Sequence, residues 1–105
     1  MCGRYTLRIS AKEMEAVFDA VRTIGDWEPS PRFNIAPTQM VPVVRLNPKG
    51  NRELLPLRWG LIPSWAKDTK IGSSLINARA AGVATKPSFR SAFKRRRCLV
   101  PADGF

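Results

Sequence analysis

Two apolar runs separated by a short polar turn constrain the fold of this chain more than any other feature. The runs Val41 to Leu46 and Arg52 to Trp59 have the length and apolar content of strands. Between them lies Asn47-Pro48-Lys49-Gly50-Asn51, whose Asn, Pro and Gly residues favour a tight turn. Two strands joined by so short a connection predict an antiparallel β-hairpin.

Shorter elements are predicted before the hairpin. Weak alternation from Gly3 to Arg8 favours a strand that enters the core. Ser10 followed by Glu13 is the pattern of a capping box, which predicts that a helix begins there. The residues at helical spacing that we expect to be buried are Met14, Val17, Phe18 and Val21.

The remaining segments predict a mixture of strands and helices. Ser30 to Pro37 is expected to be irregular because it contains two prolines, and Gly60 to Thr69 is expected to be a loop. A short helix is predicted over Ser88 to Lys94, and a strand over Arg97 to Val100. Because these elements do not alternate as βαβ units, the sequence predicts the α+β class.

Composition limits the class of protein. With 105 residues, of which 44% are apolar, the chain fits one globular domain at most. It has no run of about 18 apolar residues and no secretory signal, so we expect a cytoplasmic protein without membrane contact. Cys2 and Cys98 are then expected to stay reduced. Two Cys without His or a C-x-x-C pair predict no metal site.

The charge is strongly positive and uneven. Eighteen Lys and Arg residues stand against eight Asp and Glu residues, which gives a formal net charge of +10. No acidic residue occurs from Thr69 to Ala102, a stretch that contains Lys70, Arg79, Lys86, Arg90 and Lys94 to Arg97. Such a field attracts polyanions, among which nucleic acids are common. A solvated basic surface has the same composition, so charge alone leaves both interpretations open.

Six segments, taken in order, resemble one protein family. The chain starts Met1-Cys2-Gly3-Arg4-Tyr5 and later contains Ile76-Asn77-Ala78-Arg79-Ala80. The other four segments are residues 33–38, 57–65, 86–90 and 96–105. Together they resemble the SRAP family, the abasic-site processing proteins of the DNA damage (SOS) response. The resemblance extends from the first residue to the last, and it implies a mainly antiparallel sheet or barrel flanked by short helices.

The resemblance implies covalent chemistry at Cys2 after removal of Met1. Family members attach through this residue to abasic sites in single-stranded DNA, and are also linked to peptidase and lyase activity. An α-amine with a pKa of about 7.7–8.0 is partly neutral near pH 7 to 8, and can attack the sugar aldehyde to form an imine. The neighbouring thiol can then close a thiazolidine ring, a step favoured by its proximity.

Further site residues carry over from the family by position. The resemblance implies a catalytic role for Asn77, whose amide can hydrogen-bond the sugar or the amine. It implies DNA contacts by Arg4, Asn34, Trp65, Arg79 and Arg90. Simpler interpretations stay open, such as a surface cation for Arg4, a turn residue for Asn34 and a helix cap for Asn77. No cofactor is implied, and we expect a monomer.

The sequence departs from the family pattern in two ways. Ala81-Gly82 stands where the family usually has Glu-Thr. The family motif also continues past Phe105 to a catalytic Glu two positions on and to a later His, whereas this chain contains no His. We therefore expect residues 1–105 to be the N-terminal part of a single SRAP domain, with slower chemistry where those acid and base groups are missing.

Two other functions remain open at this point. One is a non-catalytic module that binds single-stranded DNA through charge and aromatic residues alone. The other is an N-terminal-nucleophile amidotransferase, because glutamine amidotransferases also begin Met-Cys-Gly. The sequence offers nothing that resembles a glutamine-binding site, and the charge of +10 is unusual for an enzyme acting on a small molecule.

Overall fold

The computed structural model describes residues 3–105, so Met1 and Cys2 lie outside the described part of the chain. The elements, in order, are β1 (Tyr5–Leu7), α1 (Ala11–Phe18), β2 (Val21–Arg22), β3 (Arg32–Ile35), β4 (Met40–Leu46), β5 (Arg52–Arg58), a 3₁₀ helix (Lys70–Ser74) and α2 (Arg90–Arg95).

The predicted hairpin is confirmed as the β4–β5 pair. The two strands run antiparallel in unbroken register from Met40↔Arg58 to Leu46↔Arg52. The Asn47 side chain closes the turn by accepting hydrogen bonds from the backbone N–H groups of Lys49 and Asn51, both at 3.0 Å. The Asn47 turn and the two apolar strands therefore form the hairpin that the sequence predicted.

A third strand, β2, extends this sheet in the order β2-β5-β4. It runs parallel to β5, with Val21 opposite Glu53. This pairing explains why the predicted helical stripe is wrong at its far end. Helix α1 ends at Phe18 because Asp19 adopts a left-handed conformation, with φ of 50°. Val21 then belongs to a strand, and its side chain is 66% exposed.

The beginning of α1 matches its prediction more closely. The Ser10 side chain accepts a hydrogen bond from the backbone N–H of Glu13 at 3.2 Å, which confirms the N-cap. Met14 is fully buried, whereas Val17 is 71% exposed and does not belong to the buried stripe. The helix therefore buries a narrower face than its apolar spacing suggested.

A second sheet pairs β1 with β3. The strands are antiparallel, with Tyr5 opposite Ile35 and Leu7 opposite Arg32. The prediction of an irregular segment from Ser30 to Pro37 is therefore wrong over Arg32–Ile35. The pairing partner lies about thirty residues earlier in the chain, and local proline content gives no sign of it.

The C-terminal third carries little regular structure. The Gly60 to Thr69 loop is confirmed, and a short helix forms two residues later than predicted, at Arg90–Arg95. The predicted strand over Arg97 to Val100 is wrong as a strand, because only Leu99 pairs, in an isolated bridge with Val44. A second isolated bridge joins Gly104 to Thr6.

One hydrophobic core unites the two sheets and α1. It consists of Tyr5, Leu7, Ala11, Met14, Ala20, Ile35, Val41, Val43, Val44, Leu54 and Leu55. Antiparallel pairing predominates and the helices are short, so the α+β prediction is confirmed. Within residues 3–105 the two sheets stay open, and the barrel alternative does not form.

Candidate functional site

Strand β1 presents opposite faces to the core and to solvent. Tyr5 and Leu7 are buried, with 5% and 3% of their surface exposed. Because successive side chains on a strand point to opposite faces, Arg4 projects away from the core and is exposed. The predicted nucleophile, Cys2, lies two residues before Arg4 and outside the described residues. The geometry can be described for the neighbours that follow it in the sequence, Arg4 and strand β1.

The first of these neighbours is a hydrogen-bonded pair. Arg4 Nη1, directly before β1, donates to Asn34 Oδ1 on β3 at 3.1 Å. Both residues were predicted to contact DNA, and both are exposed. The antiparallel register of Tyr5 with Ile35 places Arg4 and Asn34 diagonally on the same outer face. The amide therefore fixes the direction of the guanidinium on that face.

Trp59 links β1 to the segment that carries Asn77. Its ring lies 5.7 Å from the ring of Tyr5, centroid to centroid, in a tilted arrangement. Its indole Nε1 donates to the backbone carbonyl of Ile76 at 3.0 Å. Since Ile76 immediately precedes Asn77, one partly buried tryptophan holds both segments. The strand pattern that ends at Trp59 gives no sign of this bridging role.

A close backbone approach fixes the same region. Gly60 adopts φ of +139°, and a Cβ added there would lie 2.4 Å from the carbonyl oxygen of Gly72. One residue on, the N–H of Leu61 donates to the carbonyl of Leu75 at 3.0 Å. Only glycine fits this contact, which brings the segment after β5 against the 3₁₀ helix and the residues that lead to Asn77.

Asn77 and Arg79 lie beyond this junction, on an irregular exposed stretch. Among residues 3–105, no side-chain hydrogen bond joins either of them to the Arg4–Asn34 pair. Arg79 begins a turn in which its carbonyl accepts from the N–H of Gly82 at 3.2 Å. Trp59 therefore ties the residue before Asn77 to β1, and the side chains of Asn77 and Arg79 are exposed.

Trp65 and Arg90, the other two residues predicted to contact DNA, stand apart from the Arg4–Asn34 pair. Trp65 is 59% exposed and lies two residues after the buried Pro63. An exposed indole of this kind suits stacking on a base. Arg90 is the exposed first residue of α2. Neither makes a hydrogen bond or ion pair with the other predicted site residues described here.

Asp103 lies in the last of the six family segments, residues 96–105, and the sequence assigns it no role. Its carboxylate accepts hydrogen bonds from Thr6 Oγ1 and from the backbone N–H of Arg8, each at 2.5 Å. Backbone bonds from Thr6 to Gly104 and from Asp103 to Thr6 lie beside them. The Thr6 hydroxyl and then the Arg8 amide hold the pKa of Asp103 below its ordinary value. No sequence pattern marks this contact.

Neither a metal nor a membrane is indicated by the described residues. Over residues 3–105, no three His, Cys, Asp or Glu residues gather where they could hold a metal ion. In the same range, every helix is too short or too polar to cross a bilayer. Cys98 is a free thiol, and burial raises its pKa although Arg45 acts in the opposite direction.

Comparisons with known proteins agree with the family resemblance. A curated relative from Bacillus subtilis, abasic site processing protein YoqW, is 44% identical over 105 residues. That match covers 100% of this chain and 46% of the relative. Abasic site processing protein HMCES from Mus musculus is 37% identical over 125 aligned residues, which cover 35% of its length. The chain therefore spans slightly less than half the length of these bacterial relatives.

The fold is also found among solved structures. A crystal structure of a protein from Bordetella bronchiseptica matches 97% of this chain and 48% of its own, with a TM-score of 0.72 and 27% sequence identity. The sequence profile of the family described as SOS response associated peptidase (SRAP) matches residues 1–105. On this evidence the chain belongs to the SRAP family.

Proposed function

We propose that this chain takes part in abasic-site processing, and that it binds single-stranded DNA and forms a covalent link to an abasic site through Cys2. Removal of Met1 frees the amine and thiol of Cys2 on one residue. The link shields the lesion during the DNA damage response. The names of the relatives, abasic site processing proteins, support the lesion as the target.

The proposed reaction needs only the groups of the N-terminal residue and the open-chain sugar. The amine adds to the aldehyde carbon and water leaves, which gives an imine. The thiol sulfur then adds to the imine carbon, and its proton ends on the nitrogen. One C–N bond and one C–S bond form for each water released. A lysine side chain would stop at the imine, because it carries no sulfur to close a ring.

The observation that carries the proposal is the arrangement around Trp59. This residue contacts Tyr5 on β1 and hydrogen-bonds the residue before Asn77. Trp59 therefore anchors the segment before Asn77 to strand β1, which directly follows Arg4. Arg4 is directed by Asn34, which suits a guanidinium that meets a phosphate beside the lesion.

The test uses single-stranded DNA with one abasic site. After incubation with the protein, a denaturing gel should show a slower band that survives heating in detergent. Cys2→Ala keeps an α-amine and loses the sulfur, so it should give only an imine, visible after borohydride reduction. DNA with an intact base at the same position serves as the control and should give no band.

A variant that retains Met1 separates the two nucleophiles further. It keeps the thiol at position 2 but buries its nitrogen in a peptide bond, so the proposal expects no stable band. A stable band from this variant, or from Cys2→Ala without borohydride, would contradict thiazolidine formation. Native-gel binding to the same DNA without any covalent band would instead favour the non-catalytic binding module.

A further inference from the structure

We propose that residues 90–97, called here the basic segment, form a contact surface for the phosphodiester backbone of single-stranded DNA. The fixed point of this surface is the stacked pair Phe93–Arg97. The choice of single-stranded DNA rests on the proposed function. Apart from Arg90, for which the family resemblance already implies a DNA contact, its residues have no role in the proposed function, and the surface acts on undamaged DNA.

The first observation is that the positive charges of the basic segment have no carboxylates near them in the sequence. Five of the eight residues in the basic segment are cationic and exposed: Arg90, Lys94, Arg95, Arg96 and Arg97. The nearest carboxylates in the sequence are Asp68 and Asp103. The ion pairs within residues 3–105 use arginines elsewhere, namely Arg8, Arg22 and Arg45. The charge of the basic segment is therefore available to a polyanion.

The second observation is that one of these cations is held in place. Arg97 Nε donates to the carbonyl of Phe93 at 2.5 Å, and its Cζ lies 4.0 Å from the centre of the Phe93 ring. Its two terminal nitrogens make no hydrogen bond to any described residue. A guanidinium fixed in this way loses little freedom on binding, and its free edge fits two phosphate oxygens.

Helix α2 places further cations beside the stacked pair. Arg90, Phe93 and Lys94 stand at i, i+3 and i+4, so they occupy one side of the helix. Phe93 itself is 36% exposed. An exposed aromatic ring and a guanidinium plane between cations are the features on which unpaired bases stack. This combination favours a single strand over a duplex.

The helix dipole does not account for all five cations of the basic segment. Cations stabilise the last turn of a helix, which suits Lys94 and Arg95. Arg90, however, is in the first turn, where the dipole disfavours a cation. Arg96 caps the helix and Arg97 follows it. The dipole therefore leaves Arg90 unexplained, and the Arg97 bond to the Phe93 carbonyl uses only its Nε.

The test measures how salt weakens binding of a fluorescent oligothymidylate without an abasic site. Each phosphate contact on a single strand contributes about 0.7 to the slope of log K against log salt. Lys94→Gln/Arg96→Gln/Arg97→Gln should lower that slope by about 2. The matched control, Lys12→Gln/Lys49→Gln/Lys67→Gln, removes three exposed cations elsewhere and should change it little. Equal losses in the two triple variants would overturn the proposal.

A single substitution keeps the proposal testable if the triple variant folds poorly. Arg97→Lys retains the charge but loses the planar group stacked on Phe93. It should weaken binding several-fold while the salt slope changes by less than one contact, about 0.7. Unchanged affinity would contradict the role of the stacked pair. Because the oligonucleotide carries no lesion, the two proposals can fail separately. Failure to crosslink abasic DNA would contradict the proposed function and would leave the proposal for the basic segment unaffected.

Discussion

Thr6 and Asp103 are separated by 97 positions in the chain, and their side chains are joined by a hydrogen bond of 2.5 Å. The same carboxylate also accepts from the backbone N–H of Arg8. Asp103 thus bonds both to the side chain of one β1 residue and to the backbone just after that strand. The contact ties the C-terminal turn to the strand that follows Cys2.

Asp103→Asn should destabilise the protein most at neutral pH. The native contacts lower the pKa of Asp103, so the ionised carboxylate stabilises the folded state above the ordinary pKa of about 3.9. That contribution should be lost as the pH falls through the lowered pKa. Urea denaturation from pH 7 to pH 3 would measure it.

Asp26→Asn is the matched control for this experiment. Asp26 is exposed and makes no hydrogen bond or ion pair within residues 3–105. Its substitution should leave the dependence of unfolding free energy on pH nearly as in the parent protein. If Asp103→Asn and Asp26→Asn gave the same pH dependence, the contact with Thr6 would have no stabilising role.

Trp59→Phe should keep the aromatic packing and remove one hydrogen bond. Loss of the bond to the Ile76 carbonyl should lower the unfolding free energy by about 1 kcal/mol. It should also slow crosslinking to abasic DNA, because the segment before Asn77 loses its anchor. Chemical denaturation and a timed denaturing gel would report the two effects separately.

Trp27→Phe provides the comparison, since Trp27 is another partly buried tryptophan packed on the core. Its indole nitrogen makes no hydrogen bond to the described residues, and its substitution should leave the crosslinking rate near that of the parent. A slower reaction in Trp27→Phe than in Trp59→Phe would argue that general packing, and not the Ile76 bond, governs the site.

Gly60→Ala should be far more damaging than Gly50→Ala. Both glycines have positive φ, at +139° and +84°, so each substitution strains the backbone by about 1–3 kcal/mol. Only at Gly60 would the new Cβ also meet a backbone atom, the carbonyl oxygen of Gly72 at 2.4 Å. The difference in urea midpoint isolates this steric contact, and equal midpoints would refute it.

Arg4→Gln and Asn34→Ala should be coupled in crosslinking. If Asn34 acts by directing the Arg4 guanidinium, each substitution should slow the reaction, and the double variant should lose less than the product of the two effects. Asn51→Ala, at an exposed position in the hairpin turn, is the control and should react normally. Fully multiplicative losses would indicate that Arg4 and Asn34 act independently.

The parts of the fold that sequence predicted are those determined locally. Ser10 caps α1 through a residue three positions away, and the Asn47 turn closes the hairpin within five residues. The parts that it missed depend on distant partners. β3 needs β1 and β2 needs β5, so neither Phe33 nor Val21 could be assigned correctly from its neighbours.

The candidate site likewise has residues that the sequence indicated and contacts that it did not. The family pattern pointed to Arg4, Asn34 and Asn77 by position, and the structure puts the first two in direct contact. Trp59 and Asp103 lie in the family segments 57–65 and 96–105, but no local pattern shows which residues they contact. Their roles arise from tertiary contacts with Tyr5, Ile76 and Thr6, which only the folded chain brings together.

The position of Trp59 has a consequence for how DNA would be received. A loop that must be ordered at the moment of encounter subtracts its conformational entropy from the affinity, at about 1–2 kcal/mol for each backbone residue fixed. Here the indole orders the residues before Asn77 during folding, before any DNA arrives. Under the proposed function, the backbone leading to the Asn77 amide would therefore already be ordered before binding, and less of the contact energy would be spent on fixing it.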